Sequence, residues 1–188
     1  MKKAILEILE DSIATKRDCI ENNIDTISWT VDLLAACITA GRKVLIFGNG
    51  GSAADSQHLA AEFVNRFQIE RPPMPAIALT TDTSILTSIS NDYHFADVFA
   101  KQVQALGRKD DIAWGISTSG NSANVVKAVK SARKIGMTGR GGELADCADL
   151  VFTVASDVTA RIQESHITLG HIICDLLERK LYLNEFKD

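Results

Sequence analysis

The chain has 188 residues, of which 46% are hydrophobic and 23% are charged, and its formal net charge is −4. This length and balance fit one globular domain and exclude a disordered chain. The acidic net charge argues against a protein that binds mainly nucleic acid, because such proteins usually carry a basic excess.

Membrane insertion and secretion are not expected from this sequence. No apolar run approaches the roughly 18 residues that a membrane span needs, and the N-terminal residues lack an apolar signal core. The four cysteines are scattered without CxxC spacing. That distribution favours reduced thiols in a cytoplasmic protein over disulfides or zinc–thiolate ligands.

The first 40 residues have the pattern of helices. Apolar residues recur at helical spacing in two stretches, 5–13 and 27–38, and Gly41 ends the pattern as a glycine does after a helix. We therefore expect a helical extension over residues 1–40, which packs either against a partner subunit or over one face of the sheet that follows.

Residues 41–188 alternate between strand and helix patterns and predict an α/β core in a single domain of 1–188. Short apolar segments bounded by turn residues are typical of buried parallel strands. Such alternation predicts a doubly wound parallel sheet with helices on both faces. The predicted strands are 43–47, 76–79, 112–116 and 150–154, and the predicted helices are 53–67, 84–89, 95–106, 123–133 and 158–183.

The first loop of chemical interest, residues 48–52, follows the first predicted strand and reads Gly-Asn-Gly-Gly-Ser. Its glycines permit close backbone approach and positive φ angles, and Ser52 is a suitable N-cap for the next helix. The loop is not a dinucleotide fingerprint, because position 53 is alanine and no acidic residue ends a following strand.

The second loop, residues 117–122, follows the predicted strand 112–116 and reads Ser-Thr-Ser-Gly-Asn-Ser. Hydroxyls and backbone N–H groups converge there before a helix, which favours a bound phosphate over an ordinary capped turn. The loop contains no lysine or arginine, so we expect neutral donors to hold the phosphate. Ligands of open parallel sheets bind outside the carboxyl ends of the strands, where both loops lie.

Five motifs in chain order resemble the sugar isomerase (SIS) domain family, and most closely its phosphoheptose isomerase branch. The resemblance implies a flavodoxin-like fold and a homotetramer with active sites at subunit contacts. The motifs are GNGGSAADSQHLAAEF (48–63), TTDTS (80–84), SND (90–92), GISTSGNS (115–122) and SDVTARIQESH (156–166).

The resemblance also implies the roles of particular residues. Glu62 matches the general base of the family and His171 its partner acid. A zinc site, one per subunit, matches His58, Glu62, Gln163 and His171. The remaining positions that match substrate contacts are Asn49, Gly50, Gly51, Ser52, Asn91, Asp92, Ser117, Thr118, Ser119 and Ser122, together with Glu62 and Gln163.

Helical spacing is compatible with these implied roles. His58 and Glu62 are four residues apart and share a helix face, and Gln163 and His171 lie about 80° apart around a helix. Two nitrogens and two oxygens suit zinc with an open coordination position. We assign His166 either a structural role or a role in supporting a site residue, whereas Arg161 forms either an ion pair near the phosphate or a structural salt bridge.

The implied reaction is an aldose–ketose isomerisation of sedoheptulose 7-phosphate to D-glycero-D-manno-heptose 7-phosphate through an enediol. The product would feed the synthesis of ADP-heptose and of the lipopolysaccharide core or another heptose glycan. Such a reaction needs a base at carbon and an acid at oxygen. A carboxylate bound to zinc is a weaker base, so Glu62 as both ligand and base requires that its ligation loosen, or that the metal only organise the site.

The chain departs from the family pattern after the helix predicted at 123–133. The text runs directly into KIGMTGRGGELAD, where the family has a longer segment before its glycine turn. Either the helix ends early and 134–138 forms a shortened strand, or the protein has further residues at this point that this sequence omits.

Three other functions remain open at this level. SIS proteins that associate with a replication initiator share the first loop and the final helix, but Glu62, the complete second loop and His171 favour the enzyme. Ligand-sensing SIS modules are generally fused to a basic DNA-binding segment, which residues 1–40 lack. An isomerase acting on another sugar phosphate is the third alternative.

Overall fold

The computed structural model describes residues 1–130 and 133–183. Its five strands form one parallel sheet in the order β2-β1-β3-β4-β5. This is the flavodoxin-like order, and it confirms the predicted fold class. The strands are β1 (Val44–Gly48), β2 (Ala76–Ala78), β3 (Ile112–Ser117), β4 (Arg133–Thr138) and β5 (Leu150–Thr153).

The helices agree with the predicted ones to within a few residues at most ends. Gly41 takes a left-handed φ of +68°, which ends the helical extension as predicted. No described helix is both long and apolar enough to cross a membrane. The helices are α1 (Lys2–Glu21), α2 (Ile24–Thr39), α3 (Gly51–Val64), α4 (Thr83–Asp92), α5 (Val98–Leu106, after a 3-10 turn at Phe95–Asp97), α6 (Ala123–Val129), α7 (Glu143–Cys147) and α8 (Thr159–Tyr182).

The sheet has an apolar core on each face, because successive strand residues point to opposite sides. In β1, Val44 and Ile46 pack into the core shared with α2, α3 and α8. Leu45 and Phe47 pack into the core shared with α5, α6 and α7. The four cysteines, all among the described residues, form no disulfide.

The shortened region forms a complete strand. The predicted helix 123–133 was too long at its C-terminal end: α6 ends at Val129 and β4 begins at Arg133. Strand β4 pairs with β3 over six residues and with β5 over four. Pairing on both sides satisfies the backbone N–H and C=O groups of β4. The helix therefore ends early and 134–138 belongs to a strand, which was one of the two predicted alternatives.

The helical extension covers one face of the sheet through α2, whose Ile27, Val31 and Leu34 are buried in the core. Helix α1 lies against α8, where Ser12 donates to Glu164 at 2.6 Å. The opposite side of α1 remains apolar and exposed. The extension therefore covers the sheet and also leaves a face on which a partner subunit could pack.

Candidate active site

The two predicted loops lie side by side because β1 and β3 are adjacent parallel strands that end at the same edge. Asn49 of the first loop and Asn124 of α6 exchange two hydrogen bonds of 2.9 Å through their side-chain amides. Asn124 is buried and also accepts from the N–H of Val125. This pair fixes the first loop against the element that follows the second.

Three serine hydroxyls converge in the second loop, residues 117–122, which we call the hydroxyl loop. Ser117 Oγ lies 2.9 Å from Ser122 Oγ and 3.3 Å from Ser119 Oγ. Ser119 Oγ also accepts from the N–H of Asn121. The structure therefore places these predicted phosphate ligands within reach of one bound group.

A glycine is required at position 120 of the hydroxyl loop. Its φ is +67°, and a Cβ there would lie 1.7 Å from the carbonyl oxygen of Gly141. The N–H of Leu144 donates to the Gly120 carbonyl, and the N–H of Gly139 donates to that of Thr118. The turn after β4 therefore supports the hydroxyl loop in spite of the shortened segment before it.

A cavity of about 440 Å³ opens between the hydroxyl loop, the turn after β4 and the start of α8. It is large enough for part of a sugar phosphate. Thr118 and Ser119 belong to its wall. Its remaining lining residues are Asn121, Arg140, Gly141, Gly142, Ser156, Asp157, Thr159 and Ile162.

A second group of predicted site residues, His58, Glu62 and His171, lies between α3 and α8, and we call it the acid–base cluster. His58 Nε2 lies 3.0 Å from His171 Nε2 and 3.2 Å from Glu62 Oε1. The packing of α3 against α8 brings together side chains that are 113 residues apart. Burial lowers the pKa of His171, as does His58, whereas Glu62 raises it.

Gln163 lies against the first loop. Its side-chain amide is so close to Gly51 that a Cβ there would meet Nε2 at 2.3 Å. Gly50 takes a φ of +55° and caps α3, so the predicted N-cap role of Ser52 was wrong. Ser52 is buried inside the first turn of α3 because the helix begins two residues earlier than expected.

Asn91 and Asp92 were expected in a loop, but they are the last two residues of α4. Both are exposed, and Asn91 Nδ2 donates to Asp92 Oδ1 at 2.8 Å. Among the described residues, neither side chain forms a hydrogen bond to another predicted site residue. A role for them in substrate binding stays a prediction.

Asp55 was missed by the sequence analysis. Its Oδ2 is buried without a hydrogen-bond partner, and burial raises its pKa while His58 lowers it. Asp55 precedes His58 by three residues, so helical spacing places the two on one face of α3. That spacing was the signal available in the sequence.

Two further residues resolve earlier alternatives. His166 is fully buried, and its Nε2 lies 3.0 Å from the carbonyl oxygen of Thr138. Because a carbonyl can only accept, Nε2 carries a proton. Burial lowers the pKa of His166 to about 4, so the imidazole is neutral at neutral pH. Arg161 pairs with Glu164 and Asp11 between α8 and α1, so it forms the structural salt bridge.

The donor types of the acid–base cluster fit the predicted zinc site, since zinc binds imidazole nitrogens and carboxylate oxygens. However, no group of three or more His, Cys, Asp or Glu side chains within 1–130 and 133–183 has the geometry to hold a metal ion. Zinc binding would therefore require these side chains to move from the positions that they take here.

The SIS domain family matches residues 8–138 of the chain. The match covers more than half of the 188 residues and includes both loops and the α3 members of the acid–base cluster. The chain therefore belongs to the SIS domain family.

Close relatives place the chain in the phosphoheptose isomerase branch of that family. A phosphoheptose isomerase of Nitratidesulfovibrio vulgaris (strain Hildenborough) is 50% identical over 189 residues, covering 97% of this chain and 91% of that protein. The structure of phosphoheptose isomerase GmhA from Neisseria gonorrhoeae has a TM-score of 0.87 at 43% identity, covering 94% and 98% of the two chains. A phosphoheptose isomerase from Francisella tularensis has a TM-score of 0.90 at 38% identity, covering 95% and 98%.

Proposed function

We propose that this protein is a phosphoheptose isomerase that converts sedoheptulose 7-phosphate into D-glycero-D-manno-heptose 7-phosphate through an enediol. The observation that carries the proposal is that a carboxylate and two imidazoles meet between α3 and α8 and that hydroxyls converge in one loop, in a chain 50% identical to a protein of that name. The isomerisation needs a base, an acid and a hold on the phosphate.

Glu62 is the proposed general base and His171 the proposed acid. Glu62 removes the proton from the sugar carbon, and His171 delivers a proton to the carbonyl oxygen, where negative charge develops. The lowered pKa of His171 favours the neutral imidazole, which can donate its ring N–H to the carbonyl oxygen. Gln163, beside Gly51, would orient the sugar between the first loop and α8.

The hydroxyl loop would hold the phosphate through Ser117, Thr118, Ser119 and Ser122. The serine hydroxyls bond to one another here, and each can turn its proton toward a phosphate oxygen instead. Binding energy from the phosphate is remote from the reacting carbons, so it positions the substrate for proton transfer. Asn49, Gly50, Ser52, Asn91 and Asp92 complete the proposed substrate contacts.

One zinc ion per subunit is proposed at His58, Glu62, Gln163 and His171. When bound, it would polarise the sugar carbonyl. A cation makes Glu62 a weaker base, so Glu62 acts as base when its carboxylate is not held by the metal. Metal analysis of purified protein checks the site: wild type should retain zinc, and His58→Ala should lose it. Equal zinc content in both would contradict the assignment.

We also propose a homotetramer with sites at subunit contacts. The exposed apolar side of α1 supports this proposal, because it offers a surface on which another subunit could pack. Ile5, Leu6, Ile8, Leu9 and Ile13 are 41–59% exposed, and exposed apolar side chains grouped on one element are typical of an interaction surface. Light scattering should give about four times the chain mass of 20.4 kDa. Ile8→Lys should shift the protein toward smaller species, and a monomeric wild type would contradict the proposal.

The product would supply ADP-heptose and lipopolysaccharide core or other heptose glycan synthesis in the cytoplasm. Four cysteines that form no disulfide, three of them buried, suit a reducing compartment. The direct test is incubation with sedoheptulose 7-phosphate, followed by NMR, beside other ketose phosphates. Appearance of the aldoheptose phosphate supports the proposal. Folded protein that leaves sedoheptulose 7-phosphate unchanged would favour a binding or sensing SIS protein.

A further inference from the structure

A buried ion pair lies directly behind the acid–base cluster. Arg71 Nε donates to Glu178 Oε1 at 3.0 Å, and the two side chains are 1% and 2% exposed. Arg71 ends the segment 65–71, which follows α3, and Glu178 belongs to α8. Charged groups are rarely buried to this extent unless they are paired and fully hydrogen-bonded.

Arg71 binds the C-terminal end of α3. Its Nη2 donates to the carbonyl oxygen of Glu62 at 2.7 Å, and its Nη1 donates to that of Phe63 at 2.7 Å. The last carbonyls of a helix have no partner within the helix and need other donors. Arg71 supplies them for the very turn that carries Glu62.

Glu178 binds the backbone of the segment 65–71. Its carboxylate accepts from the N–H groups of Phe67 at 2.8 Å, Gln68 at 2.9 Å and Ile69 at 3.1 Å. Burial alone would raise the pKa of Glu178, but these backbone hydrogen bonds and Arg71 lower it below its ordinary value. The carboxylate is therefore ionised and fully occupied by donors.

The same segment contacts His171. The rings of Phe67 and His171 lie 5.5 Å apart at an interplanar angle of 31°. Glu178 follows His171 by seven residues, two turns of α8, and so lies on the same side of the helix. Glu178 thus holds the backbone of the residue whose ring packs on His171.

We propose that Arg71 and Glu178 are positioning residues for the isomerase reaction, an inference that rests on the proposed function. Arg71 holds the turn of α3 that presents Glu62, and Glu178 holds Phe67 against His171. Neither touches the substrate region directly. Together they set the separation of the proposed base and acid, a quantity to which proton transfer is sensitive, because a misplacement of about 1 Å can cost roughly 10²-fold in rate.

The test is the substitution Glu178→Gln. Glutamine keeps the length of the side chain, but it loses the charge and presents an NH₂ group where the backbone N–H groups need an acceptor. We expect kcat for sedoheptulose 7-phosphate to fall about 10- to 100-fold. KM should change by less than about threefold, since the hydroxyl loop is not contacted. Arg71→Lys, which keeps the charge, should give a smaller loss of the same kind and serves if Glu178→Gln does not fold.

A matched control is the buried carboxylate of Asp111, which immediately precedes β3 and, among the described residues, forms no hydrogen bond or ion pair with the acid–base cluster. Asp111 is 2% exposed and accepts from the N–H groups of Lys43 at 3.0 Å and Arg108 at 2.7 Å, besides its ion pair with Lys43. Asp111→Asn should lower the melting temperature as Glu178→Gln does, but leave kcat within about twofold of wild type.

A second readout does not depend on turnover. The ring-proton NMR signals of His171, assigned with His171→Asn, should shift in Glu178→Gln and stay in place in Asp111→Asn, because only the former frees Phe67. Unchanged His171 signals and kcat in folded Glu178→Gln would overturn the positioning role, as would an equal kcat loss in Asp111→Asn. If wild type is inactive and the His171 signals still shift in Glu178→Gln, the proposed function is contradicted, but the role of Glu178 in positioning His171 is retained.

Discussion

The acid–base cluster and the hydroxyl loop are proposed to serve one reaction but are supported in different ways. The cluster consists of ionisable side chains from α3 and α8, and a buried ion pair holds the backbone behind them. The loop consists of neutral hydroxyls held by backbone hydrogen bonds and by a glycine at position 120. Because the supports are separate, perturbing the cluster should change kcat, and perturbing the loop should change KM.

The largest expected effect is that of Glu62→Gln. Removing the base should lower kcat about 10³-fold, within the range typical of general base catalysis, and change KM only a few-fold. Steady-state kinetics with sedoheptulose 7-phosphate measure both constants. Glu21→Gln, an exposed carboxylate at the end of α1, is the control. A Glu62→Gln enzyme within tenfold of wild type would remove Glu62 from the mechanism.

Ser119→Ala should act on the other side of the comparison. Its hydroxyl bonds to Ser117 Oγ and to the N–H of Asn121, and the loss of a hydrogen bond to a charged phosphate should raise KM about tenfold. We expect kcat to stay within about threefold. Ser88→Ala, an exposed hydroxyl on α4, is the control. A fall in kcat at constant KM would mean that the two regions are not separable.

The Asn49–Asn124 pair measures how far the first loop and the hydroxyl loop depend on each other. A double-mutant cycle with Asn49→Ala and Asn124→Ala should give a coupling of about 1 kcal/mol in kcat/KM, because each substitution removes the same two hydrogen bonds. Strictly additive single effects would show that the amide pair does not transmit loop position.

His166 lies outside the comparison and should affect stability alone, with no effect on kcat or KM. Burial lowers the pKa of His166 from 6.5 to about 4. Between these two pH values, the imidazole is neutral in the folded protein but protonated in the unfolded chain. This contribution is complete above pH 6.5 and is lost as pH falls toward 4, by roughly 3 kcal/mol in all. Melting temperature against pH should fall less steeply over this window in His166→Gln. Parallel curves for the two proteins would contradict the lowered pKa.

Much of the fold was predictable because its signals are local. Short apolar segments identified four strands, and glycine and hydroxyl content identified both loops at the carboxyl edge. The C-terminal end of α6 was predicted too far along the chain, because residues 123–133 have a helical pattern. From Arg133 onward, pairing of β4 with β3 overrides that pattern. Residues 131–132 of that predicted helix lie outside the described residues.

The acid–base cluster was less accessible to pattern reasoning. His58 and Glu62 share a helix face by spacing, but their approach to His171 depends on how α3 packs on α8, and the resemblance to a family supplied that pairing. The reciprocal bonds of Asn124 and the buried ion pair of Arg71 with Glu178 depend on contacts between residues more than 70 positions apart. No local pattern encodes such contacts.

The central claim is that Glu62 transfers a proton at carbon during isomerisation of sedoheptulose 7-phosphate. The most direct measurement follows this sugar by NMR in deuterated water with wild type and with Glu62→Gln. The account predicts that wild type forms the aldoheptose phosphate with deuterium at C2, and that the variant binds the sugar but neither converts nor labels it. Labelling by Glu62→Gln at the wild-type rate would contradict the account.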